Sequence, residues 1–199
     1  MTDQRETRQR IVDSACDLIH RRSYTAVGVA EICAQARTRK GSFYHFFPSK
    51  QDLSLAVIDE LRRILDEQVL SPSFGRDLPP LRRLERFVDH LCGFQQGAMA
   101  AMGRMPGCPF GNLALELATT DEVIRRRLEV VFAAIRARFE HVIEDAVAIG
   151  ETGPVDVRAT AEAMLAYMEG MLMLAKTAND PAVIRRLGPA LVQIRIPPG

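Results

Sequence analysis

No run of apolar residues in this chain approaches the roughly 18 that a membrane-crossing helix needs, and the polar N-terminus has no apolar signal core. No membrane partner is expected, and the expected location is cytoplasmic. The four cysteines, at 16, 33, 92 and 108, lack the close pairing of a zinc site or a redox motif. Reduced thiols follow, with no metal and no other cofactor expected. A strong charge imbalance is missing too: the formal net charge is +1, so bulk charge points to no partner. The phosphate loop, the Gly-x-Ser-x-Gly elbow, the His-Glu-x-x-His helix and the nucleotide fingerprint are absent, and the chain is not expected to be an enzyme. The strand signal is almost absent as well, so the expected fold class is all-α.

What is present is core-forming composition and an uneven spread of charge. A hydrophobic content of 47% in 199 residues is enough for a sizeable core. Residues 1–50 carry nine Lys or Arg against five Asp or Glu, a net of +4, and the rest of the chain carries a net of −3. A basic head on a mildly acidic body suits a DNA contact confined to one end. We divide the chain accordingly into a head, 1–50, and a body, 51–199.

Taken in order, Ile11, Cys16 or Ala15, Leu18 and Ile19 recur with a helical period, and Thr7 is the candidate cap of that first helix. Tyr24 to Val27 break the pattern. Gly28 caps a second helix whose Val29, Ile32, Cys33 and Ala36 share a buried face. Arg37 and Thr38 make a turn into a third helix, about 39–46, with Thr38 as its cap and Pro48 as its stop. Ser49 caps a fourth, with Asp52 three residues on, which runs to about Val69. A breaker-rich loop, 71–80, precedes a fifth helix over about 81–102. A second break spans 103–111, and 112–119 reads as a short helix. A long helix starts near Asp121, with Ile124, Leu128, Val131, Ile135, Phe139, Val142, Ala146 and Ile149 as its stripe. Another covers about 157–178. The last opens with Asp180 and Pro181 and ends near Leu187 or near Ile194. That makes about nine helices.

Two helices joined by so short a turn, the second one basic, form a helix-turn-helix. On its second helix Lys40, Ser42, Tyr44 and His45 offer donors, while Phe43 and Phe47, four apart, share a face and are assigned to the core; Tyr24 is assigned a structural role. Residues 8–60 resemble the DNA-binding domain of the TetR family of bacterial transcriptional repressors. The resemblance rests on Ile11 and Ala15, Val29-Ala-Glu-Ile32, Ala36, Lys40-Gly-Ser-Phe-Tyr-His45, Phe47, and Ser49-Lys50-x-Asp52-Leu53. It implies that the third helix enters the major groove of a palindromic operator bound by a dimer. The contact candidates it implies are Arg39, Lys40, Ser42, Tyr44 and His45. Gly41 would allow close approach, and Lys50 with the amides of its helix would meet phosphate. Where the family commonly has Ala-Gly-Val in the turn, with the Gly left-handed, this chain has Ala36-Arg37-Thr38. Either Arg37 adopts that backbone or the turn differs.

The same resemblance implies a body that binds a small-molecule inducer and dimerises through the last two long helices. The segment 159–174 is apolar on more than one face, which suits either a dimer helix or a core helix of one subunit. A Gly-Cys-x-x-Gly-Asn-Leu-x-x-Glu pattern over 107–116, with Val-Gly-Val at 27–29 and Lys-Gly-Ser-Phe-Tyr-His at 40–45, resembles a branch of the family that includes repressors responding to reactive electrophiles. Cys108 is then a sensing thiol, a lining residue of a ligand site, or a packing residue. Phe110, Met99, Met102 and Asn112 complete the candidate ligand set. His90 and His141 have no partner at metal-ligand spacing. Two other functions compete: an enzyme assembled around Cys108, Glu116 and His141, and a helical interaction module without DNA binding.

Overall fold

The computed structural model describes residues 2–199, with side chains from Gln4 onward; the first residue of the expected 1–50 head lies outside the described residues. Nine helices and no strand are present among the described residues. They are α1 (Thr2–Arg21), α2 (Val29–Gln35), α3 (Lys40–Phe46), α4 (Lys50–Leu65), α5 (Pro80–Met102), α6 (Pro109–Leu117), α7 (Glu122–Ala148), α8 (Val157–Ala178) and α9 (Ala182–Gln193). A π-helical turn over Asp66–Leu70 and a final turn over Ser71–Ser73 prolong α4. The chain forms two compact units, one of residues 1–63 with 109–129, the other of 64–108 with 130–199.

The first unit is built on the apolar positions that the helical period marks. Ile11, Ala15, Ile32, Phe43 and Leu53 are buried completely, and Val57 and Phe47 nearly so. Neither α2 nor α3 is longer than seven residues, too short to be stable alone; burial of Ile32 and Phe43 holds them. Helix α4 is capped as expected. Ser49 Oγ accepts from the amide of Asp52 at 3.1 Å and lies 2.6 Å from its carboxylate. Asp121 Oδ1 accepts from the amides of Val123 and Ile124 and so caps α7.

The second unit is centred on Phe74, Phe87 and Phe139, whose ring centroids lie 5.2–6.0 Å apart in stacked and edge-to-face pairs. Helix α9 crosses α5 at Gly188, which is buried. A Cβ there would lie 2.1 Å from Val88 Cγ1. Gly188 also precedes Pro189 inside the helix, where a side chain at 188 would collide with the proline ring. The chain end folds back: the amide of Ile196 donates to Thr160 Oγ1 and its carbonyl accepts from Asp156.

The structure corrects several sequence expectations. Thr7 does not cap α1, which already begins at Thr2. Gln4 to Arg10 place no buried side chain, so they carry no apolar period to read. Thr38 does not cap α3; Arg39 occupies that position without a side-chain bond, because Thr38 is used to close α2. The short helix expected at 112–119 starts at Pro109 and ends at Leu117, a proline start that the break signal obscured. Helix α9 begins one residue later than expected, at Ala182, with Asp180 Oδ1 accepting from the Ala182 amide. The stripe of α7 is buried from Ile124 to Ala146, but Ile149 lies beyond the helix and is 65% exposed.

Gly188→Ala is expected to destabilise the protein by about 1–3 kcal/mol, as overpacked cores do. Gly188→Ala combined with Val88→Ala should recover part of that loss. Urea unfolding followed by circular dichroism measures both, and an additive pair would contradict the proposed collision.

Candidate nucleic-acid interface

The turn between α2 and α3 resolves the question that Arg37 raised. Arg37 takes φ 51°, left-handed, without being glycine. Its amide donates to Ala34 O at 3.2 Å, and the Thr38 amide donates to Cys33 O at 2.9 Å. These bonds close α2 in the manner usually made with glycine at that position. The local geometry is therefore preserved, at the backbone cost of a non-glycine residue there.

Helix α3 presents two faces. Phe43 is buried and packs against the Phe47 ring at 6.0 Å. Arg39, Lys40, Gly41, Tyr44 and His45 are exposed, and Ser42 is half-buried. Tyr44 is 52% exposed although its ring edge meets Phe43 at 5.2 Å. Beside this face lies a depression lined by Gln4 and Thr7 of α1 and by Gly41, Ser42, His45 and Phe46 of α3. Gln4 and Thr7 lie outside the expected site residues, because the apolar period that marks α1 begins only at Ile11. A Cβ built on Gly41 meets nothing within 4 Å, so nothing within the protein requires glycine there.

Lys50 is placed differently from the other six candidates. It is half-buried, its Nζ donates to the Tyr24 carbonyl at 2.5 Å, and it sits 3.9 Å from the centre of the Tyr24 ring. Burial draws its pKa down, opposed by the nearby Glu116. On the other side of the same connection, Glu116 of α6 accepts from the amides of Tyr24 at 2.9 Å and Thr25 at 2.7 Å, and from Thr25 Oγ1 at 2.5 Å. The Tyr24–Thr25 connection between α1 and α2 is thus gripped by an anion and a cation from two other helices. Burial alone would raise the Glu116 pKa, but the bonds from Thr25 and Tyr24 outweigh it and hold the carboxyl below its ordinary 4.5. Two further links fasten this unit: Gln51 Nε2 to Asp121 at 2.7 Å, and Arg127 to Asp59 at 2.7 Å. In the sequence Glu116 is marked only as the last residue of the Gly-Cys-x-x-Gly-Asn-Leu-x-x-Glu pattern and as a candidate of the competing enzyme reading. Its part here joins positions 91 and 92 apart in sequence, which no local pattern reveals.

The candidate ligand residues fall in both units. Phe110 is 1% exposed and Asn112 half-buried in the first. Met99, Met102 and Cys108 are all half-buried in the second. The other cysteines pack: Cys33 and Cys92 are buried, and burial together with the Glu60 charge pushes the Cys16 thiol up to about 12. His90 pairs with the Ser73 hydroxyl at 2.9 Å, and no cluster of three metal-ligating side chains occurs among the described residues. No helix there is long and apolar enough to cross a membrane.

The Glu116 grip gives a signed pH dependence. Its folded-state pKa is depressed, so its contribution to stability is complete above about pH 4.5 and disappears as pH falls through the lower folded value. Glu116→Gln keeps one acceptor oxygen and removes the titration. The loss of urea stability from about pH 7 to about pH 3.5 should therefore be smaller in this variant than in wild type. An unchanged loss would contradict the assignment.

Comparison with known proteins follows the same lines. Residues 11–57 match the model for bacterial regulatory proteins of the tetR family, and residues 80–191 match the tetracyclin repressor-like C-terminal domain. The chain is 33% identical over 178 residues to the transcriptional regulator AcuR of Cereibacter sphaeroides, spanning 87% of this chain and 78% of that protein. It is 30% identical over 125 residues to the transcriptional repressor DhaR of a Mycobacterium species, 63% of this chain and 59% of that one. A crystal structure of a TetR regulatory protein from Rhodobacter sphaeroides superposes with a TM-score of 0.78 at 30% identity, covering 94% of this chain and 98% of the other. From its helix-turn-helix to its C-terminal helices, this chain belongs to the TetR family of bacterial transcriptional regulators.

Proposed function

We propose that this regulator is a repressor that binds a palindromic operator as a homodimer and is released by a small molecule. The observation that carries the proposal is α3. Its apolar side is locked into the first unit by Phe43, and its other side offers Lys40, Tyr44 and His45 to solvent beside Gly41. A short helix that is rigidly backed and polar outward fits a major groove. Arg39, Lys40 and His45 supply donors to bases or phosphates, and Ser42 and Tyr44 set register on the backbone. Lys50, turned onto Tyr24, supports the head from within, and the phosphate role falls to the amides of the first turn of α4. We assign residues 1–50 to DNA binding and 51–199 to ligand response and dimerisation.

The homodimer is assigned to α7 and α8. Val130 of α7 is 60% exposed, and Met173 and Leu174 of α8 are 56% and 50% exposed. Ala166 is also exposed on α8, with Ala163 and Gly170 half-buried; such small residues let helices approach closely. A patch of this kind on a surface helix suits a self-complementary interface. A second reading concerns the inducer. Cys108 is half-buried rather than sealed in a core, which favours release by an electrophile that alkylates its thiol. If Cys108→Ser responds to such a compound as wild type does, that reading fails.

Lys40→Ala should weaken operator binding by about 1–3 kcal/mol. Gly41→Ala should leave folding intact or slightly improve it, since alanine favours helix by about 1 kcal/mol over glycine. Its operator affinity should nonetheless fall, because the added methyl enters the space where DNA approaches. Anisotropy titration beside thermal melting measures both. Unaltered DNA affinity in both variants would overturn the placement of α3 in the groove.

A further inference from the structure

Two polar side chains of the second unit take no part in capping, DNA contact or dimerisation. Gln95 of α5 is 2% exposed. Its amide nitrogen donates to the Gly107 carbonyl at 3.2 Å, which fixes the orientation of the amide. Its Oε1 is then buried with no hydrogen-bond partner. Glu169 of α8 makes a hydrogen bond with the Cys108 side chain, and its Oε1 is also buried without a partner. Gly107 and Cys108 are consecutive, so the two side chains converge on one short stretch of loop. That stretch is pinned: Gly107 has φ +73°, and a Cβ there would lie 3.0 Å from the stem of Lys176.

Burial of acceptor oxygens without donors is costly and rare in folded proteins. Burial raises the Glu169 pKa and the bond from the Cys108 thiol lowers it; in the ionised state that this bond favours, Oε1 is an acceptor. An ionised carboxylate accepts at both oxygens. A carboxyl that gives its proton towards sulfur keeps a carbonyl acceptor. Met99 and Met102 follow Gln95 at the spacings that keep one helix face. Both are half-buried and offer adaptable apolar surface on the face of α5 that carries Gln95.

We propose that Gln95 Oε1 and Glu169 Oε1 receive the donors of a small effector whose polar end is an amide, amidine or amine rather than a carboxylate. The apolar body of that effector lies along Met99 and Met102. A carboxylate would set oxygen against oxygen, and its charge would meet no donor from either side chain. This rests on the reading of the chain as a ligand-responsive repressor, whose effector it assigns to a chemical class.

The test is calorimetric titration of the full-length protein with size-matched probes: acetamide, benzamide and benzamidinium against acetate and benzoate. Wild type should bind at least one donor probe about tenfold more tightly than its carboxylate partner, the scale of one hydrogen bond to a charged group. Glu169→Met, which leaves Gln95 Oε1 in place, should reduce that preference severalfold while remaining folded by thermal melting. Glu169→Gln, which keeps an acceptor oxygen, should still bind benzamide. Equal affinity for amide and carboxylate, no binding of any donor probe, or an unchanged preference in Glu169→Met each overturns the proposal. Operator titration of the same preparations separates the two readings. DNA binding without donor preference defeats this inference alone. Donor preference without DNA binding defeats the repressor reading and leaves the site standing.

Discussion

The head of this protein depends on how Tyr24 and Thr25 are held. Helices α2 and α3 have seven residues each and no independent stability. Their placement is inherited from α1 through a connection whose amides would otherwise need water. Glu116 takes both amides and the Thr25 hydroxyl, and Lys50 takes the Tyr24 carbonyl and covers its ring. Two charges of opposite sign therefore fix two consecutive residues, and with them the start of α2. Hydrogen bonds to a charged acceptor are stronger than neutral ones, so this point resists loosening more than a connection of its length would suggest.

From that fixed point the roles within the helix-turn-helix divide by burial. Ile32, Cys33 and Ala36 seat α2, and Phe43 with Phe47 seats α3. Arg8 lies over the Phe47 ring at 5.0 Å, so the cation that borders the basic face also covers the core. What remains outward is the polar side of α3. The left-handed Arg37 is consistent with this order of priorities: the turn keeps its shape because both helices are already committed by burial, and a modest backbone cost at one residue is absorbed.

Most helices were legible because each buries one stripe. The α7 stripe from Ile124 to Ala146 and the α8 bounds of 157 and 178 follow directly from the apolar period and its breakers. Phe43 and Phe47 were legible for the same reason, as was the Ser49–Asp52 cap. Elements without a buried side went unread. The first turns of α1 carry only polar residues, and Pro109 sits among helix breakers although proline opens helices well. Long-range polar links were invisible in principle. Glu116 is one glutamate among many until α1 and α6 meet, and Lys50 looks like a surface cation until Tyr24 is beneath it. Gln95 and Glu169 show the same limit, since a buried unpartnered oxygen has no sequence signature.

The central claim is that the exposed face of α3 reads DNA on behalf of a symmetric pair of subunits. Selection of bound duplexes from a random pool by the full-length protein tests it most directly. The account predicts enrichment of an inverted repeat whose half-sites lie on one face of the double helix. Recovery of no enriched sequence, or of a single half-site without its inverted mate, would contradict it.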